Sequence, residues 1–129
     1  MGYGAFMNVK NNRSKAIHLF VTDVACMFDR GDQGSNLSRF NDAKVPGGSS
    51  LPDTGTQYIE ADATGGCFFN DSTFTIKVED ADTTTIIGHV AFTDSAENWS
   101  YKNDNEDVID VYCNNSGQQA HITLTIEST

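Results

Sequence analysis

Apolar and polar residues alternate without interruption over Ala120–Glu127. Ala120, Ile122, Leu124 and Ile126 fall on one side, and His121, Thr123, Thr125 and Glu127 on the other. A period of two sends successive side chains to opposite faces, so this segment predicts a strand with one dry and one wet face. The pattern recurs. Ala5–Lys10 groups Ala5, Met7 and Val9, and Ser72–Glu79 groups Phe74, Ile76 and Val78. Ala16–Ala25 groups Ile17, Leu19 and Val21, with a half-apolar second face of His18, Phe20, Thr22 and Val24. Thr85–Thr93 groups Ile86, Val90 and Phe92, and Gly88 on that same face predicts a bulge or a close backbone approach. Val108–Cys113 groups Ile109, Val111 and Cys113. Shorter strands are expected at Gln57–Ala61, at Glu97–Tyr101 and near Leu37–Phe40.

Turn clusters punctuate these runs. Asn11–Ser14 predicts a hairpin between the first two strands, and Asn114–Gly117 one between the last two. Cys26 to Pro52 is a long polar stretch, of the kind that is often functional. No amphipathic helix is visible. Eight to nine short strands in one domain, residues 1–129, predict an all-β antiparallel β-sandwich.

Composition narrows the partners. Eight Lys and Arg against 18 Asp and Glu give a net charge of −10. Phosphate binding needs a basic surface, so nucleic acid is not an expected partner. Docking on anionic lipid is disfavoured for the same reason. Clustered carboxylates suit a hard cation such as Ca²⁺, the one cofactor considered. No segment has the length and apolarity of a transmembrane helix. The first residues carry no basic region and no long apolar run, which leads to an expectation of a cytoplasmic protein or one secreted without a classical signal peptide. Cys26, Cys67 and Cys113 are odd in number and lack zinc spacing. They are expected as buried free thiols, with one disulfide between an unspecified pair as the alternative. Five Asn-x-Ser sequons, at Asn12, Asn36, Asn70, Asn98 and Asn114, are read as accidents of a chain rich in Asn and Ser.

Three places carry candidate chemistry. In Asp29–Asn36, oxygen donors alternate with glycines, so Asp29, Asp32 and Asn36 are candidates to grip Ca²⁺ or sugar hydroxyls, without EF-hand spacing. The Arg30-Gly31-Asp32 tripeptide within it is short enough to arise by chance. In Asn98–Asp107, Trp99 and Tyr101 are candidates to stack on a sugar face or enter a membrane interface, with a core Trp at the edge of a strand as the equal alternative. Asp104 and Asp107 in that stretch are further Ca²⁺ candidates. In Cys67-Phe68-Phe69, adjacent aromatics on a strand would point to opposite faces, with both expected to be covered. His18, His89 and His121 lie on separate strands and are expected to face solvent. Nucleophile elbows, P-loops, zincin motifs and dinucleotide fingerprints are missing, so no catalytic residue is assigned.

The layout resembles the aegerolysins, small acidic β-sandwich proteins that bind membrane lipids. The resemblance rests on several segments in order: the Gly2–Phe6 lead into an Asn-rich turn, the acidic Asp29–Gly34 loop, Leu51-Pro52 before Tyr58–Ala61, Phe74–Asp80, and a Thr/Ile-rich final strand. The family's Asp-Cys-Pro-Trp-Gly segment has no counterpart at Ala91–Ser95, so no site residue is carried over. The resemblance implies recognition of a neutral or zwitterionic headgroup, sometimes with a larger pore-forming partner. The expected function is therefore a non-catalytic binding module for a membrane lipid headgroup or a cell-surface glycan, acting through loops at the ends of a sandwich. A self-assembling interaction protein and a Ca²⁺-dependent domain are the alternatives.

Overall fold

The computed structural model describes residues 3–28 and 36–128. Two sheets face each other. The first runs β10 (Ile109–Asn114), β11 (Ala120–Ile126), β1 (Gly4–Asn11), β6 (Gln57–Ala61) and β3 (Met27–Phe28), with β5 (Ser50–Leu51) also paired to β1. The second runs β4 (Ala43–Val45), β2 (Ile17–Ala25), β7 (Ser72–Asp80), β8 (Ile86–Ser95) and β9 (Asn98–Asn103). Pairing is antiparallel throughout except between β1 and β11, which are parallel. The all-β sandwich is thus as expected, with eleven strands among the described residues.

The core lies between the inward rows. Ala5, Met7 and Val9 of β1 meet Ile122, Leu124 and Ile126 of β11 on one side. Ile17, Leu19, Phe74, Ile76, Val78, Val90 and Phe92 supply the other, with Phe74 and Phe92 stacked at 5.0 Å between ring centroids. The half-apolar outer face of β2 is partly roofed: Phe20 sits under Lys77, 4.6 Å from ring centroid to Nζ, and beside His18.

Three expectations about elements change. β1 and β2 do not form a hairpin; they belong to different sheets. The turn between them crosses the sandwich, and the Asn11 amide holds the crossing by donating to the carbonyls of Lys15, Val45 and Pro46. Leu37–Phe40 is a 3-10 turn, not a strand, and its Leu37 and Phe40 plug the core. Ile86 leaves the inward row because the β7–β8 register slips between Val78 and Glu79. Ile87 is the extra residue there, and Ile86 is left 52% exposed. The slip lies next to Gly88, where a Cβ would sit 2.7 Å from Ile109 Cδ1. A bulge and a close approach therefore coincide at this glycine.

The strands define two ends. Tyr3, the β6–β7 connection (residues 62–71), the β8–β9 turn and the Asn114–Gln119 turn share one end. The crossing after Asn11, the turn after Asp80 and the segment after Asn103 share the other.

Candidate functional site

The connection from β6 to β7 is a braced loop. Cys26 and Cys67 form a disulfide across it, with Cα atoms 5.6 Å apart. This corrects the expectation of three free thiols; Cys113 alone is free, half-buried, and its thiol is pushed up by burial. The two partners lie 41 residues apart, and the register of β3 on β6 is what brings them together. The amide of Asp62 donates to the Cys26 carbonyl at 2.7 Å. The Asp62 carboxylate accepts from the Thr64 hydroxyl at 2.6 Å and from its amide at 2.8 Å, and these bonds hold its pKa below the usual value. Gly65–Cys67 then makes a 3-10 turn, with Gly65 at φ +54°. The Asn70 side chain donates back to the Gly66 carbonyl at 2.7 Å.

Phe68 and Phe69 leave this turn together. They are 67% and 93% exposed, and their rings meet edge to face at 4.7 Å between centroids. Neither is covered, contrary to expectation. Neighbouring residues point to opposite faces only on a strand, and these follow a 3-10 turn after which the two rings touch.

Phe68 also lines a cavity of about 160 Å³ at this end of the sandwich. Tyr3, Asp71, Ser72, Asp94 and Glu97 line it too, and no Lys or Arg does so among the described residues. Ser72 and Asp94 are directly paired across β7 and β8, and Asp94 pairs with Trp99 across β8 and β9. Asp94 thus ends the inward row Gly88, Val90, Phe92. It is 8% exposed, and its Oδ1 is buried with no hydrogen-bond partner among the described residues. Burial pushes its pKa up to about 6; the Asn98 amide opposes the shift, and the Glu97 and Asp71 carboxylates add to it. The Tyr3 hydroxyl, shared between the carbonyls of Asn115 and Gly117, is likewise raised by burial and by the Asp94 charge.

The turn that carries Asp94 is strained. Ala96 and Glu97 have φ of 53° and 60°, both in the left-handed region. A two-residue hairpin turn of this kind favours Asn and Gly. A residue with a Cβ is disfavoured there by about 1–2 kcal/mol.

The sequence-derived candidates are distributed differently. Trp99 is 2% exposed and offers no face to a ligand. Register places it inward on β9, edge to face with Phe74, and Asn115 clamps its backbone by accepting from its amide and donating to its carbonyl. Tyr101 is 43% exposed and packs against Phe92. Asn98–Asp107 is not one loop, because its first six residues are β9. Five residues of strand put Trp99 and Asp104 about 17 Å apart, at opposite ends. Asp104 is engaged with His89, Oδ1 accepting from the amide at 2.6 Å and Oδ2 facing Nδ1 at 2.8 Å. The amide bond is the main reason its pKa is lowered. Asp107 is exposed and does not join it. No group of three or more His, Cys, Asp or Glu among the described residues converges as a metal site. Asp29 and Asp32 lie outside the described residues. Asn36 stands beside β6, its amide donating to the Tyr58 carbonyl and its side chain accepting from the Ser38 hydroxyl at 2.8 Å. His18 and His89 each face a carboxylate, Asp42 and Asp104, and the three histidines stay apart.

One signal for the cavity was present in the chain: an acid at the end of an apolar period-two row, Val90, Phe92, Asp94. No helix among the described residues is long and apolar enough to cross a membrane. No protein-family model matches the chain, and no curated protein matches it.

Proposed function

We propose that this protein is a non-catalytic membrane-recognition module that binds a lipid headgroup at the Asp94 end of the sandwich. One observation carries the reading. The exposed Phe68–Phe69 pair stands on a disulfide-braced loop, and Phe68 also lines a cavity of about 160 Å³. Moving such a ring from water to an apolar medium is worth about 1.5–3 kcal/mol. A rigid loop lets that gain appear as affinity rather than being spent on ordering. Insertion of a single apolar group anchors a protein only marginally, so a second contact, the headgroup, belongs to the same design.

The lipid is favoured over a glycan for two reasons. The two rings exposed on the braced loop, Phe68 and Phe69, have no polar edge, and the lone Trp is buried. A cavity of about 160 Å³ also falls short of the roughly 300–1,000 Å³ of ordinary ligand pockets, which suits a headgroup better than an oligosaccharide. The net charge of −10 directs the choice toward neutral or zwitterionic lipid. This agrees with the aegerolysin-like reading. The Cys26–Cys67 disulfide supports an oxidising compartment, hence a secreted protein.

Co-sedimentation with phosphatidylcholine vesicles tests the proposal. The wild type is expected to sediment with them. Phe68→Ala and Phe69→Ala are each expected to lose about tenfold or more in affinity, from the area withdrawn from lipid. Retention of full binding by the double variant, or binding to a glycan array without vesicle binding, would overturn it.

A further inference from the structure

We infer that the cavity beside Phe68 takes an organic ammonium group, with Asp94 as its counter-charge. The inference rests on the membrane reading for its lipid source, but its chemistry comes from the cavity itself. Asp94 is more than nine-tenths buried, its Oδ1 is unpartnered among the described residues, and it lines the space. A buried carboxylate oxygen without a donor is costly, and a cationic guest removes that cost. The walls fit such a guest. Asp71 and Glu97 add negative charge, Tyr3 and Phe68 supply aromatic rings, and no cationic side chain competes. Carboxylate and ring together are the recognition chemistry of an alkylated ammonium.

A metal ion fits less well, because the three carboxylates do not converge as ligands. One water needs about 10–15 Å³ of such space, so about 160 Å³ accommodates a small organic cation. The strained Ala96–Glu97 turn holds Asp94 and Glu97 in the lining of one cavity, as strain at a binding site often does. The titratable groups facing Asp94 are Asp71, Glu97 and Tyr3, with Cys113 behind Tyr3. Because burial raises Asp94 to about 6, ammonium binding is lost as the pH falls through that value.

The test uses choline and its neutral carbon isostere, 3,3-dimethylbutanol, titrated into the intact protein at pH 7.5 and pH 5. Binding is read by amide chemical shifts around Asp94 and by Trp99 fluorescence. In parallel, phosphatidylcholine vesicles are compared with vesicles of a neutral galactolipid that has no amine. Choline is expected to bind and the isostere is not. Asp94→Asn is expected to weaken choline about tenfold, the size of one charge-assisted contact. The exposed pair Asp71→Asn/Glu97→Gln, which spares the buried site, is expected to weaken it severalfold and covers the case in which the Asp94 variant misfolds. Equal binding of choline and isostere, or choline binding unchanged in folded Asp94→Asn and in the exposed pair, overturns the inference. Vesicle binding that needs the Phe pair but ignores the amine and Asp94 also overturns it, while the membrane reading stands. Asp94-dependent choline binding without vesicle binding supports it and moves the ammonium source to a soluble molecule.

Discussion

Replacing Asp94 by Asn is expected to stabilise the protein at neutral pH and to leave its stability unchanged at pH 4. The carboxylate sits at about 6 when folded, against an ordinary value of 3.8, and burial is the main cause. An acid whose folded pKa is raised binds its proton more tightly in the native state than in the unfolded one. Between about pH 4 and 6 the native state therefore holds more protons, and stability falls as pH rises through that window. Above about 6 the whole penalty is present. A shift of roughly two units at about 1.4 kcal/mol per unit sets an upper limit of about 3 kcal/mol. Solvent at the cavity mouth and the new amide's own unmet donors reduce the expected gain to about 1–2 kcal/mol. Urea denaturation, followed by Trp99 fluorescence and far-ultraviolet circular dichroism, measures it at pH 7.5 and pH 4.0. The variant midpoint should exceed that of the wild type at the higher pH and match it at the lower. Equal midpoints at pH 7.5, or the same offset at both values, would mean that the buried Asp94 carboxylate carries no such penalty.

Removing the disulfide with Cys26→Ala/Cys67→Ala opens a loop of 41 residues' separation, for which loop closure gives about 4 kcal/mol as a ceiling. A loss of 2–4 kcal/mol in urea and weaker vesicle binding are expected; an unchanged midpoint would show that the bridge is not formed. Trp99 Nε1 is buried without a partner among the described residues, so its N–H contributes little. Trp99→Phe is expected to lose less than about 1.5 kcal/mol and Trp99→Ala about 3–5. A Phe variant as unstable as the Ala variant would mean that the indole N–H has a partner.

What the chain disclosed about its fold follows from the period of two. β11 is bounded within a residue, because one face is buried and a slip would turn it inside out, and β6 is bounded as expected although Ile59 and Glu60 on its two faces are both buried. Periodicity does not say which sheet a strand joins. Both β1 and β2 have inward apolar rows, so a crossing between sheets reads like a hairpin. The same blindness misplaced Trp99. Its neighbours are polar on both sides, yet the two-residue turn at Ala96–Glu97 fixes the register that sends it inward. The disulfide depends on a contact 41 residues distant in sequence, which no local pattern encodes, whereas the Phe pair stands in the sequence as a motif and only the 3-10 turn before it is not legible there. Of the sequence-derived candidates among the described residues, Phe68 lines the cavity, and Trp99 only backs Asp94 across the strand pair.

The chain contains its own control for the meaning of Asp94. β7 also ends its inward row in an aspartate, Asp80, at the opposite end of the sandwich, and the two are almost equally buried, at 7% and 8% exposed. Asp80 accepts from the amides of Asp82 and Thr83 at 2.9 and 3.1 Å and from the Arg13 guanidinium at 3.1 Å. Those bonds, the amides first, hold its pKa below the ordinary value, so its carboxylate is at rest as a structural cap. Asp94 has the same side chain and a matching place in its row, but its pKa moves the other way, through burial first, with the Glu97 and Asp71 charges adding to it and fewer donors opposing it. Desolvation is the larger cause at Asp94, and the single Asn98 amide does not offset it as the Asp82 and Thr83 amides do at Asp80. A fold able to satisfy one row-ending carboxylate three times over has left an oxygen of the other without a partner among the described residues, in a cavity lined by Tyr3 and the exposed Phe68. The partner that Asp94 lacks within the chain is the partner a cationic ligand supplies.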